Sequence, residues 1–372
     1  IESEYRNELK EHIQSSFDTA QNEPLITSDE VSEEEDVFAP YIQNVIEGKG
    51  SKKEIRFIDA IQQALNQSME RYPGLVLMGQ DIAEYGGAFK VTEGLVDTYG
   101  KGRVRNTPLC ESAIVGAGLG LSIKGMKAMV EMQFADFVTC GFNQIINNLA
   151  KIHWRWGQNA DVVVRMPTGA GTAAGPFHSQ SNEAWFFHTP GLKILYPSNP
   201  TDAKGLLNAA IEDPNPVLFF EHKYLYRSLK EEVPEEYYTT EIGKANVVST
   251  GDDLTIITYG LGVHWAVQEM KNRPDIQAEI IDLRSLVPLD TETIYTSVKK
   301  TGRAIVLHED CISGGIGGEL TALITEHCFE FLDAPVLRVG SLNSPVPFAA
   351  TIEAIFLPQD RFTKAVDQLL NY

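Results

Sequence analysis

The chain changes character near residue 55, where a polar segment gives way to alternating apolar and amphipathic segments. Residues 1–20 have the pattern of a polar helix, and the acidic run at 32–36 is typical of a solvated connector. Beyond residue 55, short runs rich in valine, isoleucine and phenylalanine alternate with segments of helical periodicity. This alternation is typical of α/β layers built around mostly parallel sheets.

The apolar runs predict two successive α/β blocks. The predicted strands are 75–79, 127–133, 161–167, 192–197 and 217–222 in the first block, then 253–260, 278–286, 304–310 and 335–342 in the second. Helices are predicted at 55–70, 112–123, 137–152, 181–188 and 200–212, between the strands of the second block, and at the end of the chain. The charged segment 229–244 contains Pro234 and lacks clear periodicity, so it is interpreted as a linker. The predicted domains are therefore 1–50 (acidic connector), 51–228 and 245–372, within a fold of two open, mostly parallel sheets flanked by helices.

Composition excludes several classes of partner. The 372 residues carry a net charge of −20, and residues 1–50 alone contain 13 acids against 3 bases. This charge argues against nucleic acid and against anionic membrane surfaces. No apolar run approaches 18 residues, which predicts no membrane span. The four cysteines form no C-x-x-C pair, which argues against zinc and favours a reducing compartment, the cytoplasm or the mitochondrial matrix of a eukaryote.

Glu111 is a carboxylate at the head of an apolar run. The segment that follows, SAIVGAGLGLSIKG, is apolar on every side and predicts a buried helix. Gly116, Gly118 and Gly120 favour a second backbone packed close to that helix. The helix N-terminus would stabilise a charged Glu111, whereas burial would favour the neutral acid. Such a group could share a proton with a ligand nitrogen, or it could simply cap its helix.

Two glycine-rich stretches fail the known nucleotide fingerprints. The loop 167–183 follows a predicted strand but lacks the G-K-[ST] ending of a phosphate loop, and the turn at 313–318 lacks the last glycine of G-x-G-x-x-G. The first loop presents His178, which could transfer protons or be an ordinary surface histidine. The second is interpreted as a tight turn into a helix. No metal-ligand spacing and no G-x-S-x-G motif are found.

Five stretches together resemble one family. They are NTPLCE, EMQFADF, FHSQSNEAWFFHTPG, GLLNAAIEDPNPVLFFE and IIDLRSLVPLD. They are similar to the beta chain of the thiamine-diphosphate-dependent 2-oxo acid dehydrogenases, and NTPLCE favours the branched-chain enzymes. The resemblance runs from about Ile55 to Tyr372 and implies a pyrimidine-binding domain followed by a transketolase C-terminal-like domain. Residues 1–50 are similar to the end of the family's alpha chain, which suggests a fused alpha/beta polypeptide.

The resemblance assigns roles to individual residues. Glu111 matches the glutamate that hydrogen-bonds the aminopyrimidine ring of thiamine diphosphate and activates the cofactor. His178 matches a histidine that handles protons of the substrate or the lipoyl group. Cofactor contacts are also implied for Leu109, Gln133 and Phe137, although relatives often have tyrosine at the last position. Gln80 stands where an acid is more common, which puts a charge role there in doubt.

Two metal ions are implied by the same resemblance. Magnesium is held in the family by a GDG…N motif of the alpha half, and the nearest match here, Gly251-Asp252-Asp253, lacks the asparagine. Potassium is bound in some relatives by backbone carbonyls that match Ala160, Val162, Val163, Ala210, Asp213 and Asn215. The chain is therefore expected to hold half of a site and to be inactive alone.

The function implied is oxidative decarboxylation of a branched-chain 2-oxo acid, with acyl transfer to a lipoyl group. The expected partners are the alpha half, a lipoyl acyltransferase core and further copies in an α2β2 or equivalent assembly. A pyruvate dehydrogenase beta chain is the first alternative. A transketolase-like synthase would carry both cofactor halves in one chain, and a non-catalytic nucleotide-binding module would need a working glycine fingerprint.

Overall fold

The computed structural model describes all 372 residues, which form two compact units, residues 1–37 and 38–372. The first unit contains helix α1 (Glu2–Asn22) and the short helix α2 (Glu30–Glu35), and neither buries any residue. The predicted polar helix is thereby confirmed. Asp29 caps α2 by accepting a hydrogen bond from the backbone N–H of Ser32. No helix of the protein combines the length and the apolarity needed to cross a bilayer.

The second unit alternates strands with helices. Its strands are β1 (Lys52–Arg56), β2 (Leu75–Gly79), β3 (Val104–Asn106), β4 (Lys127–Glu131), β5 (Val162–Thr168), β6 (Lys193–Leu195), β7 (Val217–His222), β8 (Lys230–Pro234), β9 (Asn246–Ser249), β10 (Leu254–Thr258), β11 (Ala278–Asp282), β12 (Ser285–Val287), β13 (Ala304–Cys311) and β14 (Leu337–Ser341). Its α-helices are α3 (Phe57–Arg71), α4 (Leu95–Tyr99), α5 (Glu111–Ile123), α6 (Ile152–Trp156), α7 (Ala184–Phe187), α8 (Pro200–Glu212), α9 (Leu225–Ser228), α10 (Leu261–Asn272), α11 (Thr291–Thr301), α12 (Gly317–Cys328), α13 (Ala350–Phe356) and α14 (Gln359–Leu370).

Two mostly parallel sheets carry the fold. The first has seven strands in the order β12-β6-β7-β5-β4-β2-β3, and only β12 runs antiparallel to its neighbour. The second has five strands in the order β14-β13-β10-β11-β9, with β9 antiparallel. The predicted fold class is confirmed. Parallel strands place their carboxyl ends at one edge of a sheet, where α/β proteins bind ligands.

The core consists of two apolar layers, because successive side chains of a strand point to opposite faces of its sheet. Along β2, Leu75 and Leu77 enter one layer, whereas Val76 and Met78 enter the other. Both layers continue into the second sheet. Strands β2, β5, β7, β10 and β11 are buried at every position, which explains their continuous apolar sequences.

Three predicted elements differ from the structure. Segment 229–244, predicted to be a linker, contains β8, which pairs antiparallel with β1. Only Val233 and Pro234 of β8 are buried, so its charged sequence does not have the pattern of a strand. The predicted strand 278–286 is broken at Arg284, whose φ of 59° is left-handed, so β12 joins the edge of the first sheet instead.

The third difference is the helix predicted at 137–152. A 3-10 helix (Ala135–Gly141), a π-helix (Gln144–Leu149) and α6 occupy this region. This region packs closely against α5, since a Cβ placed on Gly141 would lie 3.4 Å from the carbonyl oxygen of Glu111.

Candidate active site

The predicted site residues follow strand ends of the seven-stranded sheet. Gln80 comes directly after β2, Glu111 follows β3 after four intervening residues, and Gln133 lies just beyond β4. The loop 169–181, which carries His178 and is called the His178 loop here, begins where β5 ends. Since these strands are parallel neighbours, their carboxyl ends bring the four segments to one edge.

Glu111 is the first residue of α5, as predicted. Its Oε1 accepts a hydrogen bond of 2.9 Å from Nε2 of Gln80, and no side chain of the chain bonds its Oε2. Gln80 is 5% exposed, and its own Oε1 is buried without a partner. The N-terminal position on α5 stabilises a carboxylate. Gln80 therefore holds the acid through a neutral amide, and one buried acceptor is left over beside it.

The prediction that α5 is buried on every side is wrong for this chain. Ile114, Val115 and Leu119 are buried, but Ala113 and Ala117 are exposed and Glu111 is half-buried. Only one face of the helix packs on the sheet.

The glycines of α5 are not equivalent. A Cβ on Gly118 would lie 3.1 Å from Cγ1 of Val130, so this glycine permits close packing on the sheet. A Cβ on Gly116 would make ordinary contact, 3.6 Å from the side chain of Gln144, and one on Gly120 would meet nothing within 4 Å. The close backbone expected at these positions is found at none of them, and the tight contact at Gly118 is with side chains of the sheet.

Gln133, Phe137 and His178 are connected to Glu111 through their neighbours. Gln133 donates a hydrogen bond of 3.3 Å to Asp81, the residue after Gln80. The ring of His178 meets Phe137 edge-on at 5.6 Å between centroids, and it meets Phe134 in the same way at 4.7 Å. No hydrogen bond joins Glu111 to His178. The side chain of Leu109 is 81% exposed and therefore projects into solvent.

A buried ionic network that was not predicted lies on the central strands. Arg165 on β5 donates to both oxygens of Glu221 and to Glu131, each at 2.6 Å, and the hydroxyl of Tyr226 donates to Glu221 at 2.6 Å. Burial raises the pKa of Glu131, although Arg165 opposes the shift. Burial disfavours the charge of Arg165, but the two carboxylates raise its pKa above the usual value. The sequence signal for this network is a charged residue that each of the apolar strands β4, β5 and β7 contains.

A second group of acids lies around strand β13 of the second sheet. Glu309 on β13 accepts hydrogen bonds from Nε2 of His222 (2.6 Å), the amide of Ala170 (2.6 Å) and the hydroxyl of Ser181 (3.1 Å). The amide of Tyr224 donates to Nδ1 of His222, so the ring proton lies on Nε2. Burial would raise the pKa of Glu309, but His222 and the donated hydrogen bonds lower it overall.

Glu183 and Asp310 complete this acidic group. The hydroxyl of Tyr259 donates to Oε1 of Glu183 at 2.6 Å, whereas Oε2 is buried without a partner. Burial, with Asp310 nearby, raises the pKa of Glu183 to about 8. Burial, with Glu309 nearby, raises the pKa of Asp310 to about 7. Asp310 and Glu309 line a cavity of about 300 Å³ next to the His178 loop.

The glycine turn at 313–318 leads into α12, as predicted, and packs around a histidine. A Cβ on Gly315, Gly317 or Gly340 would lie within 3 Å of the ring of His308. Burial lowers the pKa of His308 to about 4, so the ring is neutral. The space beside these glycines is therefore filled by the protein's own side chain.

The candidate potassium residues come from two adjacent segments. The amide of Ala160 donates to the carbonyl of Pro214, which brings residues 160–163 beside 210–215. The side chain of Asp213 accepts hydrogen bonds from Lys193 (2.5 Å) and from Asn215 (2.9 Å). These side chains are already paired, and Lys193 supplies a positive charge. Only backbone carbonyls fit such an ion, and no group of three or more acids, histidines or cysteines could hold a metal anywhere in the chain.

Two family models match, the transketolase pyrimidine-binding domain over residues 53–228 and the transketolase C-terminal domain over residues 243–361. A 2-oxoisovalerate dehydrogenase subunit beta from Bacillus subtilis is 46% identical over 322 residues, covering 85% of this chain and 98% of the relative. A mitochondrial 2-oxoisovalerate dehydrogenase subunit beta 2 from Arabidopsis thaliana is 41% identical, covering 89% and 92%.

More distant similarity extends to other enzymes. A chloroplastic pyruvate dehydrogenase E1 component subunit beta-2 from Arabidopsis thaliana is 40% identical, covering 85% of this chain and 79% of the relative. Among solved structures, a split-gene transketolase described as an inactive beta4 tetramer matches with a TM-score of 0.70 at 23% identity, covering 85% of this chain and 98% of that one. The structural match supports the fold alone.

Proposed function

Because the chain belongs to the family of 2-oxoisovalerate dehydrogenase beta subunits, we propose that it decarboxylates a branched-chain 2-oxo acid together with an alpha half. The observation that carries the proposal is the carboxylate of Glu111, fixed by Gln80 at the N-terminus of α5 with Oε2 left for a ligand. The acyl group would pass to the lipoyl group of an acyltransferase core. The pyruvate dehydrogenase relative keeps pyruvate as the second candidate substrate.

The residues at the sheet edge fit thiamine diphosphate, on which this family depends. A carboxylate at a helix N-terminus, two glutamine side chains and an aromatic wall suit a heterocycle with hydrogen-bonding nitrogens, and the unpaired Oε1 of Gln80 is a further acceptor. When bound, the cofactor supplies a nucleophilic carbon for decarboxylation. Oε2 of Glu111 would hold the proton shared with a ring nitrogen. Leu109, Gln133 and Phe137 would contact the ring.

His178 would handle protons of the substrate or the lipoyl group. Its ring packs edge-on against Phe134 and Phe137, which fixes the imidazole while leaving it half-buried rather than enclosed. Histidine side chains in general serve as acid and base groups in catalysis, which is the chemistry this role requires. Phenylalanine at position 137 offers no hydroxyl, so the aromatic contact with His178 is purely packing.

The remaining parts of the site would come from other chains or from the backbone. We assign the magnesium and the diphosphate to the alpha half, and any potassium to the backbone carbonyls of residues 160–163 and 210–215. We also propose an α2β2 or equivalent assembly, with residues 1–50 as the end of a fused alpha half. The proposed domains are 51–228 and 245–372, joined by 229–244.

The decisive experiment compares Glu111→Gln with a matched variant in the assembled enzyme. Glutamine keeps the shape of the side chain but cannot hold the shared proton, so we expect decarboxylation to fall by at least about 100-fold with the fold intact. Glu93→Gln, an exposed acid of the same domain, is the control and should be unchanged. Near-normal decarboxylation by Glu111→Gln would refute the assigned role.

Substrate choice and cofactor are tested separately. Rates with 3-methyl-2-oxobutanoate should exceed those with pyruvate, and the opposite order would favour the second candidate. Titration with thiamine diphosphate should saturate only when the alpha half is present. Saturable binding of a flavin or nicotinamide nucleotide would instead indicate a nucleotide-binding module.

A further inference from the structure

The His178 loop has an unusual backbone. Every second residue from 169 to 175 has a positive φ, with values of 92°, 87° and 74° at Gly169, Gly171 and Gly175 and 54° at Ala173. A left-handed alanine costs about 1–2 kcal/mol, so other contacts must hold this conformation. Left-handed residues alternating with others turn neighbouring backbone N–H groups towards one side and form a concave site for anions.

The anions in this site are two carboxylates of the second sheet's domain. Glu353 on α13 accepts the amide of Gly171 on one oxygen and that of Ala173 on the other, both at 3.0 Å. Glu309 accepts the amide of Ala170 and the hydroxyl of Ser181, the two ends of the loop. Glu353 is 4% exposed and Glu309 is 6% exposed, so water does not compete strongly for either.

We propose that Glu353 is a positioning residue, which sets the place of His178 by binding the backbone of the loop. The glycines of the loop allow this contact, because their left-handed backbone directs N–H groups towards the carboxylate of Glu353, as glycine-rich loops do towards phosphate. Phe348 supports the same arrangement, since its ring fills the space where a Cβ of Gly175 would stand. The domain of the second sheet thereby shapes the site at the edge of the first. The catalytic consequence depends on the proposed function of His178.

The first test measures the loop without reference to activity. In Glu353→Ala the amides of Gly171 and Ala173 lose their acceptor, so their hydrogen exchange in the full chain should accelerate by about 10-fold or more. Glu353→Gln keeps one acceptor oxygen and should accelerate one amide more than the other. Exchange within β13 serves as the internal reference for a folded chain. Glu330→Gln, an exposed acid of the same domain, should change nothing.

The second test asks whether Glu353 acts through His178. In the assembled enzyme, Glu353→Ala should lower lipoyl-dependent turnover by about 10-fold, mainly in kcat. In a His178→Ala background the same substitution should have an effect of less than about 2-fold, since residues acting as one unit are not additive. A structural role alone would give equal effects in both backgrounds.

The outcomes distinguish a failure of the role proposed for Glu353 from a failure of the function proposed for His178. Unchanged exchange at Gly171 and Ala173, or equal loss of turnover in both backgrounds, would overturn the role of Glu353. If His178→Ala alone leaves turnover unchanged, the proposed function of His178 fails and with it the catalytic consequence, whatever the exchange data give. Accelerated exchange combined with a non-additive loss of turnover would support the inference.

Discussion

Replacement of Gln80 by methionine should separate stability from activity. Methionine has nearly the shape of glutamine but no amide, so the variant removes the 2.9 Å hydrogen bond to Glu111 and also the buried, unpaired Oε1. These two changes act in opposite directions on the free energy of unfolding. The size of each contribution depends on how deeply Glu111 and Gln80 are buried.

The magnitudes favour a neutral or stabilised fold. A hydrogen bond to a charged group contributes about 1.5–3 kcal/mol, but Glu111 is half-buried and water replaces part of the amide, which leaves about 1 kcal/mol. An unpaired buried oxygen costs about 1–3 kcal/mol, and Gln80 is only 5% exposed. We therefore expect the free energy of unfolding of Gln80→Met to equal that of the natural protein or to exceed it by up to about 2 kcal/mol.

Activity should respond in the opposite sense. Without the amide, nothing in the chain fixes the carboxylate of Glu111, so decarboxylation by the assembled enzyme should fall by about 10-fold or more. Gln67→Met is the matched control. Gln67 donates to the carbonyl of Glu235 at 2.7 Å and also has a buried, unpaired Oε1, but it lies away from the sheet edge. Its stability should shift as in Gln80→Met, and its activity should not.

Urea denaturation of each full chain and decarboxylation rates of each assembled enzyme are the measurements. A loss of more than about 2 kcal/mol in Gln80→Met would show that the buried oxygen is paired in solution. Unchanged decarboxylation in Gln80→Met, with Glu111→Gln inactive, would show that the amide does not hold the acid.

Two further predictions concern the buried charges. Arg165→Met leaves two carboxylates unpaired in the core and should lower the free energy of unfolding by about 3–5 kcal/mol, against about 1 kcal/mol for Tyr226→Phe; similar losses in both would contradict the network. Burial raises the pKa of Glu183 from 4.5 to about 8, so between these values the folded protein holds a proton that the unfolded chain has lost. The protein therefore loses stability as pH rises from about 4.5 to about 8. In Glu183→Gln, the free energy of unfolding should fall less steeply between pH 5 and 8 than in the natural protein, by up to about 1.4 kcal/mol per pH unit. An unchanged dependence on pH would refute the assignment.

The sequence predicted the parts of the fold that depend on local pattern. Strands such as β2 and β7 are buried on both faces, so their apolar runs are continuous and their bounds match the prediction. Helix α8 begins at Pro200 after the cap Asn199, also as predicted. Strand β8 was missed because its outward face is charged and its pairing partner, β1, lies about 180 residues earlier. Strand pairing of this kind has no signature in the local sequence.

The candidate site was predictable only in part. Glu111 stands out because it begins an apolar helix, and His178 because it lies in a glycine-rich loop. Glu353 acts on Gly171 across 182 residues, and no periodicity links such positions. A usable signal was its isolation, since Glu353 is the only charged residue between 339 and 359. The same holds for Arg165 within an apolar strand, because a charge in such a sequence requires a buried partner.

Helix α5 shows what kind of information a sequence contains beyond the fold of one chain. Its residues are apolar all round, yet one face, which includes Ala113 and Ala117, is exposed here. A helix face that stays exposed to water normally carries polar residues. Glu111 begins the same helix, so the unfilled face adjoins the acid that the proposed cofactor would contact. Burial of this face by the alpha half would account both for the sequence of α5 and for a site whose remaining ligands lie on another chain.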